Sequence, residues 1–229
     1  MTLKALIFDV DGTLAETEEA HRAAFNETFR AWGLGWHWDH DDYRQLLQVT
    51  GGKERIRAFQ ATLPLRSRRL DDAEIDRFGT EKTARYCAAL TGGGLAPRPG
   101  VDALIRHARE TGLRLAVATT TNLPNVEALC QCFWDCPATE IFEVIAAGDQ
   151  VKAKKPAADV YDLALRRLGL GAADCLALED SRNGLRAAKA AGLRVVITPS
   201  AYTAHEDFSG AELIVANLTD PRLAALLAA

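Results

Sequence analysis

The chain has 229 residues, 48% of them apolar and 25% charged; that suits one large α/β domain, or a medium domain with a small insert, and excludes a disordered chain. A formal net charge of −4 argues against a nucleic-acid surface, which needs clustered lysine and arginine. No apolar run approaches the ~20 residues of a membrane span, and the first is cut off by Asp9 and Asp11, so no transmembrane helix and no signal peptide are expected and the chain reads as cytoplasmic.

Residues 3–10 read as a strand whose apolar run, Leu3 to Phe8, is the pattern of a parallel strand buried on both faces. Asp9-Val10-Asp11-Gly12-Thr13 stands at its carboxyl end, the edge where open α/β sheets bind ligands. Two acids so placed repel each other and resist burial unless something uses them. Asp-Gly is also a common turn pair, but a turn needs neither Asp9 nor a buried strand feeding it.

Between residues 16 and 96 the strand signal vanishes. Helical patterning covers 21–32, 41–48, 53–62 and 71–90, and the segment closes on Gly92-Gly93-Gly94 and Pro97-Arg98-Pro99-Gly100, the punctuation of a linker. Residues 16–96 are therefore expected to form an all-helical domain inserted into a core made of 1–15 and 97–229. Within it, Gly51-Gly52-Lys53-Glu54-Arg55 offers bare amides and two cations at a helix start, which suits an anion. On residues alone, a helix-opening turn with solvated charges is the plainer reading. Trp32, Trp36 and Trp38 read as the core of this domain, since a base-stacking platform would want a basic groove. Tyr43 stays open between core and ligand.

Beyond the insert, strand patterns at 113–118, 142–147, 175–178, 193–197 and 213–215 alternate with helical ones at 101–111, 122–132, 157–168 and 183–191. Gly112, Gly169 and Gly192 stand where helix C-terminal caps belong. Such alternation predicts an α/β fold, a doubly wound, Rossmann-like parallel sheet. Three of its strand ends carry chemistry. Thr119-Thr120-Thr121-Asn122 opens a helix, presenting hydroxyls and free N–H groups to an anion. Lys154-Lys155-Pro156 is expected at the start of the next helix, with proline in its first turn and a lysine facing an adverse dipole unless an anion is bound. Glu179-Asp180-Ser181 brings two more acids, of which helix capping explains only one. Four carboxylates on one sheet edge call for a cation, and oxygen ligands favour Mg²⁺. The cysteine cluster Cys130, Cys132 and Cys136 lacks the paired spacing of a zinc site and reads as reduced thiols.

Together these parts read as phosphoryl transfer: Mg²⁺, a carboxylate nucleophile, hydroxyl donors and a lysine. A P-loop is excluded, because Glu54 follows Gly51-Gly52-Lys53 where Ser or Thr is required.

The stretches DVDGT, ATTTN, KKP and EDS, in this order, resemble the haloacid dehalogenase superfamily of phosphatases. DVDGTLAETEEAHRAAFN, TGGKERI, PRPGV, LAVATTT, KKPAADVY and LEDSRNGLRAAKAAGLRVVITPSAYT resemble its CbbY-type sugar-bisphosphate phosphatases. The resemblance implies that the insert is a mobile cap, that Asp9 is the nucleophile and that Asp11 is the general acid/base. It implies that Thr119 and Lys155 hold the phosphoryl group, with Thr120, Thr121 and Asn122 beside them. Mg²⁺ would sit on the Asp9 side chain, the Asp11 carbonyl and Asp180, with Glu179 behind them or acting through water. The cap would read the substrate through Glu18, His21, Tyr43, Gly51, Gly52, Lys53 and Arg55. The implied substrate is a sugar phosphate, xylulose 1,5-bisphosphate, taken by a monomeric chain. Two rival readings remain: a sugar phosphomutase of the same superfamily, which also keeps both aspartates, and a non-catalytic phospho-ligand-binding protein, from which loss of Asp9 or Asp11 would be expected.

Overall fold

The apolar run after Lys4 becomes the middle of a sheet. The computed structural model describes residues 3–227. Its six strands are β1 (Ala5–Phe8), β2 (Arg114–Ala118), β3 (Val144–Ala146), β4 (Cys175–Glu179), β5 (Arg194–Ile197) and β6 (Leu213–Ile214). They form one sheet in the order β3-β2-β1-β4-β5-β6, every pair parallel. All of β1 and β4 is buried, as continuous apolar runs in a sheet covered on both faces must be. From β1 the strand order runs one way through β2 and β3 and the other way through β4, β5 and β6. The carboxyl ends of β1 and β4 therefore flank the switch point at which such sheets bind ligands.

Described residues up to Glu16 and from Leu95 onward form one compact unit, and Thr17–Gly94 forms a second. The second is all helix: α1 (Glu18–Ala31), α2 (His40–Leu46), α3 (Gly52–Thr62) and α4 (Asp72–Thr91). Asp39 with Asp42 and Asp71 with Glu74 close capping boxes that start α2 and α4. Its core is aromatic. Phe25 meets Trp38 at 4.7 Å between centroids and Phe29 meets Phe78 at 5.3 Å, joining α1 to α4. Trp38 and Tyr43 are fully buried, whereas Trp32 and Trp36 sit half-buried at the rim, where the Trp32 indole N–H donates to Glu81.

The sheet unit carries α5 (Val101–Thr111), α6 (Leu123–Trp134), α7 (Ala138–Ile141), α8 (Asp159–Leu168), α9 (Arg182–Ala190) and α10 (Pro221–Leu227). Small residues let helices approach the sheet closely: Ala116, Ala118, Ala164, Ala187 and Ala188 share one core with Tyr161 and Ile7. Where the chain re-enters this unit, the Arg98 N–H donates to the Leu14 carbonyl at 2.8 Å.

Three expected boundaries move. β1 ends at Phe8 because the Val10 carbonyl accepts from the N–H groups of Thr13 and Leu14, curling the acidic motif into a turn. β6 is only two residues long, at the sheet edge, and Ile214 is exposed. Most consequentially, α8 begins at Asp159 rather than 157, since Asp159 Oδ1 accepts from the Ala153 N–H and holds 153–158 as a loop. Lys155 and Pro156 thus lie outside the helix, and the expected first-turn lysine facing an adverse dipole does not exist.

Candidate active site

Parallel pairing of β1 with β4 puts Phe8 beside Leu178, so the residues that follow, Asp9 and Glu179, emerge as neighbours. Asp9, Glu179 and Asp180 are all buried and can bring one carboxylate oxygen each within 4.8 Å of the others. Lys155 reaches in from the loop before α8. Its Nζ donates to Asp9 Oδ1 at 2.6 Å, to Glu179 Oε1 at 2.6 Å and to the Ala118 carbonyl at the end of β2 at 2.9 Å. Two glycines make this crowding possible. A Cβ on Gly12, whose φ is +83°, would stand 2.2 Å from Asp180 Oδ2, and one on Gly184 would stand 1.9 Å from Glu179 Oε2. Thr203 Oγ1 donates to the Asp180 carbonyl at 2.8 Å.

Burial pushes the Asp9 carboxyl up to about 8; Lys155 pulls against this, while Glu179 and Asp11 add to it. Burial works against the Lys155 charge too, yet Asp9 and Glu179 overcome it and hold the ammonium above its ordinary range. Three buried carboxylates facing one ammonium leave surplus negative charge. An all-oxygen donor set with such a surplus fits a hard divalent cation such as Mg²⁺ rather than zinc.

At the end of β2, Thr119 is buried and its Oγ1 accepts from the Thr121 N–H at 3.2 Å. Asn122 caps α6 by accepting from the Asn125 N–H, and Asn125 donates to Thr121 Oγ1 at 2.7 Å. This loop is pinned from behind, because Gly148 packs against the Thr120 carbonyl with no room for a Cβ. Asp11 is half-buried in the turn. Thr13 Oγ1 is buried without a hydrogen-bond partner.

In the helical unit the expected residues fall into separate groups. Tyr43 donates to Glu18 Oε2 at 2.8 Å and accepts from Arg55 at 2.9 Å, so Glu18, Tyr43 and Arg55 form one chain of hydrogen bonds. His21 stacks on Tyr86 at 3.9 Å and faces Lys82 Nζ at 2.6 Å from its Nδ1. Gly51 caps α3 with φ +91° and Gly52 opens it. Lys53 turns to α4 instead: half-exposed, it pairs with Asp76 at 2.6 Å and lies over Gly79. The structure does not bring Lys53 to Arg55, which sits two positions along the helix.

A family model for haloacid dehalogenase-like hydrolases matches residues 3–192. The chain belongs to that family. It is an enzyme of the phosphatase class within it. The CbbY protein of Rhodobacter capsulatus is 56% identical over 219 residues, 96% of this chain and 95% of that protein. The crystal structure of CbbY from Rhodobacter sphaeroides in complex with phosphate superposes with a TM-score of 0.92 at 52% identity, covering 96% of each chain. A point variant of that CbbY in complex with xylulose-(1,5)-bisphosphate matches with the same score, identity and coverage.

Three residues of this haloacid dehalogenase-like chain, two in the sheet unit and one in the helical unit, escape a motif reading. Tyr161 donates to Glu179, Lys82 faces His21, and Arg98 donates to the carbonyls of Gly12, Thr198 and Pro199, tying the acidic turn to the loop after β5. Tyr161 has one signal in the sequence, its place six residues after Lys155. Arg98 has none, because its partners are mostly backbone carbonyls, with Glu16 and the Thr198 hydroxyl beside them.

Proposed function

We propose that this chain is a Mg²⁺-dependent phosphatase of sugar bisphosphates, with xylulose 1,5-bisphosphate as substrate and an aspartyl-phosphate on Asp9 as intermediate. The observation that carries this reading is the buried group of Asp9, Lys155, Glu179 and Asp180 at the switch point of the sheet. The likeness to a CbbY bound to that bisphosphate supports the choice of substrate.

The Asp9 carboxylate attacks phosphorus while the bond to the sugar oxygen breaks. Asp11 gives its proton to the departing oxygen, then takes one from the water that attacks the phosphorus of the intermediate, which frees orthophosphate and restores Asp9. Lys155 and Thr119 hold phosphoryl oxygens throughout. Mg²⁺, held by the Asp9 and Asp180 carboxylates and the Asp11 carbonyl with Glu179 behind, supplies positive charge against the phosphoryl oxygens when bound. Thr120, Thr121 and Asn122 shape the loop that carries Thr119.

In the helical unit, the amides of Gly51 and Gly52 with Lys53 bind the second phosphate, and Glu18, His21 and Tyr43 bind sugar hydroxyls, with Arg55 orienting Tyr43 through its hydrogen bond. The Lys53–Asp76 pair is solvent-exposed, and such pairs contribute little, so Lys53 can exchange Asp76 for a phosphate.

The test is orthophosphate release from a panel of sugar mono- and bisphosphates. Release should be fastest from xylulose 1,5-bisphosphate, stop in excess chelator and return with Mg²⁺. No release from any sugar phosphate would refute the reading, and slow release with accumulating sugar-phosphate isomer would make the enzyme a mutase.

A further inference from the structure

Tyr161 lies on α8, fully buried, and no step above uses it. Its hydroxyl donates to Glu179 Oε1 at 2.6 Å. That same oxygen accepts from Lys155 Nζ at 2.6 Å, and the ammonium lies over the Tyr161 ring, 5.1 Å from its centroid. One side chain therefore touches both members of the pair that backs the nucleophile.

The physics of that pair needs a third party. Lys155 sits between two carboxylates at equal distance, and it must keep charge in reserve for a phosphoryl group instead of closing onto Asp9 alone. Glu179 provides the counterweight only while Oε1 faces Lys155. Its other contact is the Asp180 N–H on Oε2 at 3.3 Å, a long hydrogen bond that restrains rotation weakly. Glu179 has no exposure to bulk water, so a lost donor is not simply replaced. The ring adds a cation–π attraction that holds the ammonium at its face.

We propose that Tyr161 is a positioning residue of this site: through its hydroxyl on Glu179 and its ring under Lys155, it fixes where the ammonium meets the phosphoryl group. The proposal takes its chemistry from the phosphatase reading. Burial and the neighbouring Glu179 push the phenol well above its ordinary range, so the hydroxyl remains a donor at any working pH.

Tyr161→Phe removes the hydroxyl and keeps the ring; Tyr161→Leu removes both. In the Mg²⁺-loaded enzyme, Tyr161→Phe should lower kcat/KM on p-nitrophenyl phosphate about 10- to 100-fold, the range for partners that orient the groups of a metal site. Orthophosphate affinity, measured by calorimetry, should weaken alongside it, and Tyr161→Leu should be worse on both. In a Glu179→Gln background the Phe change should cost little, because Tyr161 acts through that carboxylate. A lower melting temperature with orthophosphate affinity unchanged would overturn the proposal, since that is what a packing role alone produces. An undiminished loss in the Glu179→Gln background would overturn it too. If the wild-type chain hydrolysed no phosphate ester, the proposed activity would be wrong, and the calorimetric comparison would still decide the role of Tyr161.

Discussion

At Asp9 burial and the Lys155 charge pull in opposite directions, and burial, helped by Glu179 and Asp11, wins. Asp9→Asn should give a folded protein with no turnover, because an amide is a poor nucleophile; activity within about tenfold of wild type would sink the mechanism. Asp11→Asn should cost roughly 10²–10⁴-fold on a sugar phosphate and much less on p-nitrophenyl phosphate, whose leaving group scarcely needs a proton. Equal losses on the two substrates would remove Asp11 from that role. The raised Asp9 value also has a sign. With a folded pKa of about 8 against 3.8 when unfolded, the native state binds the extra proton between those values, so this stabilisation is complete at low pH and is lost as pH rises through 8. Lys155, shifted upward, does not titrate in that window. In chelator, the melting temperature of wild type minus that of Asp9→Asn should fall from pH 5 to pH 9; a flat or rising difference would contradict the assignment.

Among the elements, α9 shows local preference and site geometry in conflict. Alanine is worth about 1 kcal/mol over glycine inside a helix, so Gly184→Ala should stabilise the first turn, yet its Cβ would stand 1.9 Å from a carboxylate that Lys155 and Tyr161 hold in place. Overpacking costs about 1–3 kcal/mol, so a lower melting temperature and a fall in kcat of about tenfold or more are expected. A more stable, fully active variant would show that Glu179 is free to move. The sheet was legible because parallel strands buried on both faces read as unbroken apolar runs, and the acids were legible because they punctuate those runs at Asp9 and Glu179. The start of α8 was not, since a carboxylate reaching back to Ala153 leaves no mark in hydrophobic period. Tyr161 is marked in the sequence only by its place six residues after Lys155. Its function lies in a hydroxyl whose partner is far along the chain. Lys53 and Arg55 are neighbours in sequence but turn to different partners, Asp76 and Tyr43, which only the packing of α3 reveals.

For the whole molecule, two units imply two tasks, and Lys53 tests the division. Lys53→Ala should cost about 1.5–3 kcal/mol in kcat/KM on the bisphosphate, the range for hydrogen bonds to charged groups, with kcat falling as well as KM rising if binding of the remote phosphate is used in catalysis. On p-nitrophenyl phosphate, which has no second anion, the change should be nearly silent. Equal damage to both substrates would remove the physical support for a bisphosphate. The hydrogen bond from Arg98 to Leu14 bears on how such a division arises. Because the chain leaves the sheet unit and returns to it across that bond, with the Arg98 side chain also holding the Gly12 carbonyl, the unit meets everything between as a loop already closed. Each doubling of such a loop adds only about 0.6 kcal/mol of closure cost. A lineage could therefore lengthen, trim or exchange the helical insert while the acids at the strand ends are inherited unchanged, so selectivity is free to drift where chemistry is not.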